Sequence, residues 1–485
     1  MKKYKIYILL ITVLTFTALL TTSTTLANAP NEIRNIFPDP IFAELVATNL
    51  DMDVEDMVTD DDLLDILVLN FNENERVTDF TGIERLENLE YLFLDYHGLT
   101  DLTPFAGLSN LVQLNVEGND ITDLTPLAGL TNLEVLQIGW NPISNVDALL
   151  GLPQLRVLSM FDTDVTDLSS IAQMTQLEEL DLTGIHVIGS DVNVLSALVN
   201  LRSLNLTDIE IYDLSFLSNL TMLEELILVW NTHFYDLTPL APLTNLVRLT
   251  ITNSAVADIT VLELLTNLEV VNLLMNEIED VTPLGSLSNL QQVNLSGNRI
   301  TDIRPLSGLN LEVLDVSAQH ITLEEFAVID VLFPFVIYDL NGQRVPLEVG
   351  FGNGTPEEGG IVWHDRGFNG VDWSLNEGGL EFSGSMFQFS WEGYLDYEED
   401  EEPEVEEIEW EDEEDYDPYA GDTDSVETDD VTDDFTDGIL GEDGSSEDNR
   451  LPATGYAAGI SAFMLSAALV VGGLVLGHKQ KKAQS

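Results

Sequence analysis

From about residue 64 to residue 322, apolar and polar positions follow one recurring phrase, L-x-x-L-x-L-x-x-N-x-I-T-D-L-x-P-L-x-x-L-x-N, clearest in residues 111–132. Its leading leucine returns at Leu89, Leu111, Leu133, Leu155, Leu177, Leu201, Leu223, Leu246, Leu268, Leu290 and Leu311. These lie mostly 22 residues apart, with single steps of 24, 23 and 21. A period of this length predicts a solenoid, in which no turn buries its apolar side alone and stacked neighbours share one core. Leu111, Leu114 and Val116 carry the apolar side of a short strand, and such strands stack into a parallel sheet. Asn119 closes the strand, where its amide can satisfy backbone groups inside a tight turn. Asn141, Asn231, Asn276 and Asn298 are its equivalents, and His97, Thr163, Ile185, Ile209, Ser254 and Gln319 interrupt the series. Ile121-Thr122-Asp123-Leu124 and Pro126-Leu127 then predict a turn into a 3₁₀ or helical return on the convex side.

The periodicity changes at both ends. Asp39-Pro40 offers an N-cap followed by proline at the first helical position, and Ile41, Phe42, Leu45, Val46 and Leu50 fall on one helical face. Thr59 with Asp62 caps a second short helix, so residues 28–63 read as a small α-helical N-terminal cap. The run Asp51-Met52-Asp53-Val54-Glu55 lacks the turn glycine and closing glutamate of a calcium loop and reads as a solvated acidic loop. After residue 319 strand-like pieces appear at 335–338, 345–349, 360–363, 379–382 and 386–389, with turn pairs Asn341-Gly342 and Asn353-Gly354 between several. They predict a small antiparallel β-sandwich over residues 320–394, packed on the last turn.

Charge changes the picture most. The 485-residue chain holds 86 Asp and Glu against 17 Lys and Arg, a net charge of −69. Nucleic acid is excluded as a partner, because affinity for phosphates comes from basic residues. With no cysteine, there is neither a disulfide framework nor a thiol nucleophile. Half of residues 395–450 are acidic and Arg450 is the only base there, so this segment reads as a disordered acidic stalk. Its upper limit of reach is on the order of 180 Å. A second reading has these carboxylates hold Ca²⁺ weakly at many sites.

Both ends carry targeting signals. Lys2, Lys3 and Lys5 precede an apolar stretch too short to span a bilayer comfortably, and a cut after Ala27 makes residues 1–27 a signal peptide. At the other end, Leu451-Pro452-Ala453-Thr454-Gly455 precedes an apolar run and a lysine-rich tail, residues 456–485, which reads as a transmembrane helix with basic stop. All six lysines lie at positions 2, 3, 5, 479, 481 and 482, so the processed chain keeps eleven arginines and no lysine. Arginine holds its charge where lysine loses it, which suits alkaline or saline surroundings; amino-acid bias of the source is the competing explanation.

The pentapeptide resembles the LPxTG sorting signal of Gram-positive surface proteins, with helix and basic tail in the required order. The resemblance implies that a sortase cuts between Thr454 and Gly455 and joins Thr454 to peptidoglycan, with Leu451, Pro452, Thr454 and Gly455 as the recognised residues. The 22-residue phrase with ITDLxPL resembles the leucine-rich repeats of the internalin family of bacterial surface proteins. Phe37-Pro38-Asp39-Pro40 looks like that family's cap, and residues 320–394 look like its immunoglobulin-like domain. The implied architecture is an α/β leucine-rich repeat solenoid over residues 64–319, a helical cap, an immunoglobulin-like β-sandwich, and an acidic stalk in place of further folded repeats.

No zinc spacing, phosphate loop or nucleophile elbow accompanies the scattered histidines, and the only adjacent His–Asp pair is His364-Asp365. The chain is therefore read as no enzyme, without a cofactor. Outward positions of the strands and the residue just past them carry Tyr91, Phe93, Tyr96, Gln113, Asn115, Glu117, Trp140, Phe161, Glu179, Asp181, Glu225, Ile227, Trp230 and Arg248. Two aromatic groups, Tyr91–Tyr96 and Trp140–Phe161, with Trp230 further along and an acidic band between, mark a binding surface. Tyr91, Phe93, Tyr96, Trp140, Phe161 and Trp230 are the candidate partner-binding residues, for an unknown protein of a host, neighbouring cell or matrix, bound by a monomer. The alternatives are glycan binding, with Trp140 and Trp230 or Trp363 and Trp373 stacking on sugars, and a passive acidic wall protein that holds cations.

Overall fold

A computed structural model describes residues 30–71, 76–187, 189–377 and 380–391. The expected signal peptide, acidic stalk, sorting signal and membrane-spanning run lie outside these residues.

The cap is built around Asp39. Its side chain accepts from the backbone N–H groups of Ile41 (3.0 Å) and Phe42 (3.3 Å) at the start of helix Pro40–Leu50. The other oxygen accepts from the N–H of Thr78 (3.0 Å), binding the cap to the first turn. Burial pushes this carboxyl up, but the N–H donors at Thr78, Phe42 and Ile41 outweigh it and hold it below the usual carboxylate value. Helix Asp60–Leu63 opens with the expected capping box between Thr59 and Asp62. Helix Pro40–Leu50 ends at Asp51, in the left-handed conformation at φ 56°, and Glu55 is held by Arg34 at 2.9 Å. A file of buried rings, Phe42, Phe71, Phe80 and Phe105, runs from the cap into the repeats at centroid spacings of 5.5, 5.8 and 5.1 Å.

Each turn contributes one strand, mostly of three residues, from Val68–Asn70 to Gln292–Asn294. All are parallel and in one register, with Leu92, Leu114, Leu136 and Leu158 side by side. These leucines are buried, and 3₁₀ helices such as Thr125–Gly129 close the convex side. The asparagine ladder is a backbone device. Asn119 donates to the carbonyls of Leu94, Val116 and Glu117 at 2.8–3.1 Å and accepts from the N–H groups of His97 and Leu99. Asn141, Asn276 and Asn298 repeat the pattern.

Gln319, expected as a break, does the same work. It donates to the carbonyls of Leu295 (2.9 Å) and Val316 (3.0 Å), and accepts from Ile300 N–H (2.8 Å). Its extra methylene spans a turn that is one residue shorter. At Thr163 and Ser254 a hydroxyl reaches the carbonyls alone. A second ladder, not foreseen, uses the final asparagine of the phrase. Asn110, Asn132, Asn200, Asn245, Asn267 and Asn289 each donate to a carbonyl of the preceding turn at 2.8–2.9 Å.

The C-terminal strands, expected as an antiparallel sandwich packed on the last turn, instead join the repeat sheet edge to edge. Strand Val313–Val328 crosses residue 320 without interruption and pairs in parallel with Leu380–Trp391. Gly367–Glu377 and Glu348–Phe351 follow antiparallel, so these strands extend the repeat sheet to 15 strands. Leu332–Pro334, Gly360–Trp363 and Gly354–Glu357 form a separate three-stranded antiparallel sheet. Edge pairing with the last turn satisfies the open backbone groups that would otherwise end the solenoid. Arg304 lies over the Tyr338 ring at 4.1 Å and fastens the junction.

Candidate functional site

The sheet's outward side owes its shape to the eighth residue of each turn. From Tyr96 through Gly118, Trp140, Asp162, Gly184, Asp208, Trp230, Asn253, Met275 and Gly297 to Ala318, every one has positive φ. Glycine occupies this left-handed conformation freely, whereas a bulky side chain there costs on the order of 1–3 kcal/mol. Yet Tyr96 (φ 59°), Trp140 (φ 51°), Trp230 (φ 58°) and Met275 (φ 54°) hold it, all substantially exposed.

The expected aromatic groups are regrouped. Tyr96 and Trp140 lie 5.8 Å apart and Trp140 and Phe161 5.0 Å apart, forming one ridge that crosses the glycine-bearing turn between Tyr96 and Trp140. Glycine makes room beneath: a Cβ at Gly118 would strike the Tyr96 ring, and one at Gly139 the Phe161 ring. The indole N–H of Trp140 donates to Asp162 Oδ2 at 2.8 Å, which fixes the ring's orientation. Tyr91 and Phe93 are half-buried at the side of this ridge's first turn. Trp230, 48% exposed, stands four turns beyond Trp140, about 19 Å at the usual strand spacing. It is therefore apart from the ridge.

Beneath and beside the rings lies polar ground that the strand pattern had assigned to the surface. Gln113, Asn115 and Glu117 are buried, as are Gln137 and Ser159. Gln137 bonds both Gln113 and Glu117 from the next turn, a contact that alternation within a strand does not reveal. Burial, then the charges of Asp95 and Asp181, push the Glu117 carboxyl up to about 7. Glu179 is also raised, by burial and by Glu225 and Glu178, and Asp181 is raised by burial against its bonds to Thr183 and Asn205. The only arginine among these outward positions, Arg248, is bonded to Glu225 at 3.0 Å, while Arg156 and Arg202 pair with Glu178 and Glu224 on the flank.

Other candidates fall away. Trp363 is fully buried with its N–H given to Gln388 Oε1 at 2.9 Å, and Trp373 is 2% exposed, so neither can stack on a sugar. His364 bonds Asp330 (2.7 Å) and Thr355 (2.9 Å) instead of its neighbour Asp365, which accepts from Asn353. Among the described residues no group of three or more His, Asp or Glu is placed to hold a metal ion, and no helix is long and apolar enough to cross a membrane. Strand reading missed Met275, 57% exposed, and the flank pair Tyr212–His233, with rings 4.6 Å apart beside the 77% exposed Tyr235. Carrying the eighth position through every turn would have found Met275; the flank residues lie beyond the strand and carry no periodic signal.

Stacked parallel strands of this period, laddered by asparagine, define a leucine-rich repeat protein. Residues 266–308 match the profile "Leucine Rich repeats (2 copies)" and residues 21–63 match "Bacterial adhesion/invasion protein N terminal". A crystal structure of an internalin (inlF) from Listeria monocytogenes is 33% identical over 61% of this chain and 93% of its own, with a TM-score of 0.52. The functional domain of InlJ from the same organism, which includes a cysteine ladder, is 19% identical over 75% of this chain and 99% of its own, with a TM-score of 0.44. A leucine-rich repeat protein of Leptospira interrogans is 25% identical over 52% of this chain and 67% of its own, at a TM-score of 0.46. A comparison with curated proteins gives no match. The chain belongs to the internalin family.

Proposed function

We propose that this is a surface recognition protein that binds a protein partner through the concave face of its repeats, without a cofactor and without covalent chemistry. One observation carries the reading: large exposed side chains occupy a strained backbone position that glycine fills without strain in other turns. Tyr96, Trp140 and Trp230 have positive φ and are 40%, 49% and 48% exposed. Local strain of this kind persists where function uses it, and Trp and Tyr are the residues that dominate binding energy at interfaces. Tyr91, Phe93 and Phe161 complete the proposed surface beside them.

Family membership supports a bacterial surface location. The Leu451-Pro452-Ala453-Thr454-Gly455 sequence supports covalent attachment to peptidoglycan through Thr454 by a sortase, with residues 395–450 as the stalk and residues 320–394 as the immunoglobulin-like module. Thr454→Ala then moves the protein from the cell-wall fraction to membrane or medium; unchanged wall retention excludes that attachment. A screen of protein and glycan arrays with the chain and its Trp140→Ala and Trp230→Ala variants tests the recognition surface. Loss of a protein ligand by at least one variant is expected. If neither variant changes any detected binding, the concave assignment is wrong, and if only glycans are lost, the sugar-stacking alternative replaces it.

A further inference from the structure

The concave face also carries information about the kind of partner. Asp95, Glu117, Asp162, Glu179, Asp181 and Glu225 occupy outward positions in the turns that bear the ridge and the turns just after it. In the turns from Leu89 to Leu223 no outward position holds a base. Two guanidinium groups approach this stretch: Arg76 lies against Gly98 beyond the strand end, and Arg248 of the following turn bonds Glu225. The carboxylates also crowd one another: Asp95 and Asp181 act on Glu117, and Glu225 acts on Glu179. The Arg248–Glu225 pair sits at the far end; nearer the ridge the free protein holds like charges together, next to exposed rings.

Building on the concave reading above, we propose that the occupant is a basic protein segment, with an arginine side chain seated against the Tyr96–Trp140–Phe161 ridge and its charge met by Asp95, Glu179 and the carboxylates behind them. A guanidinium suits both halves of this surface, since it stacks on aromatic faces and bonds carboxylates in a fork, whereas an ammonium meets carboxylates only as a point charge. Charge complementarity selects against other occupants. Nucleic acids and sulfated or sialylated glycans are anionic, and a second copy of this chain presents the same acidic face with a net charge of −69.

The test uses the full chain with 5-fluorotryptophan incorporated and ¹⁹F spectra recorded during titration. The Trp140 resonance is assigned by its loss in Trp140→Phe, and the Trp410 resonance, in the acidic segment, reports binding there separately. Oligo-arginine is expected to shift Trp140 saturably at low ionic strength, more tightly than oligo-lysine, while oligo-glutamate leaves it unmoved. The Asp95→Asn, Glu179→Gln double variant is expected to weaken this by about fivefold or more, with the chain still folded by circular dichroism. A shift confined to Trp410, or an unchanged affinity in the double variant, overturns the basic occupant. A Trp140 shift with a neutral oligosaccharide and none with oligo-arginine overturns it too, while leaving concave binding standing. If Trp140→Ala abolishes capture of a protein in the array screen and the double variant does not weaken it, only the inference about charge fails.

Discussion

Two stretches of the same sheet face share a scaffold and differ in what they display. In the turns from Leu89 to Leu223, outward positions hold Tyr96, Trp140, Phe161, Trp230 and a band of carboxylates. In the turns opened by Leu268 and Leu290 they hold Val270, Asn272, Leu274, Gln292, Asn294 and Ser296, with no charge and no ring. Beneath both, the asparagines make matching bonds: Asn141 donates to Val116 and Ile138, and Asn298 to Leu273 and Leu295, all at 2.8–3.0 Å. The left-handed eighth residue recurs in both stretches as well. The backbone device is therefore independent of what is displayed on it, and the display can be rewritten turn by turn.

The largest effect tests the shared part. Asn141→Ala and Asn298→Ala each strip buried carbonyls and N–H groups of their partner, and each is expected to cost about 2–4 kcal/mol in denaturant unfolding. A large inequality between them would break the claim of one scaffold. Next comes Glu117, whose carboxyl titrates near 7 folded and near about 4.3 unfolded. Between those values the folded state binds the extra proton, so stability falls as pH rises from about 4 to about 7 and is level above that. Glu117→Gln is expected to remove this slope and to stabilise the protein at pH 8 by on the order of 1–3 kcal/mol. An unchanged pH profile would show that the carboxyl is not strained. Variants in the neutral stretch, such as Gln292→Ala, leave the profile as it is.

A smaller effect concerns the seat of the ridge. Gly118 has φ +65° with the Tyr96 ring directly above, so Gly118→Ala is expected to cost about 1–2 kcal/mol and to shift the Tyr96 ring resonances. The smallest carries the opposite sign. Met275→Gly relieves a left-handed residue at φ 54° that is 57% exposed, and a gain of up to about 1 kcal/mol is expected by thermal unfolding. Destabilisation there would mean that Met275 packs as core and lacks the freedom of a display position.

The repeat, its core leucines and its asparagine ladder were legible because each is local to one 22-residue phrase and recurs many times. The cap was legible for a similar reason, since Asp39 and Thr59 are short-range signals. What escaped depended on a neighbouring turn. Glu117 and Gln113 alternate outward along their strand yet are buried, and the side chain both meet, Gln137, belongs to the next turn. Gln319 differs from asparagine by one methylene, and its equivalence is decided by the length of the turn it spans. The C-terminal segments were legible as strand-like pieces between turn pairs, but their joining edge to edge with Val313–Val328 depends on a free sheet edge, which no pattern within a strand encodes.

Tyr96 resting on Gly118, and Met275 on Gly297, have a consequence for how such a surface can change over generations. The ring and its seat belong to different repeats, so the heritable unit of this display is a pair of adjacent turns. Inserting a turn between them, or deleting one of the two, keeps every core leucine in register, yet sets an aromatic side chain over a neighbour chosen by chance. Whole repeats can be gained and lost without harming the fold, while a working ridge is preserved only when both partners travel together.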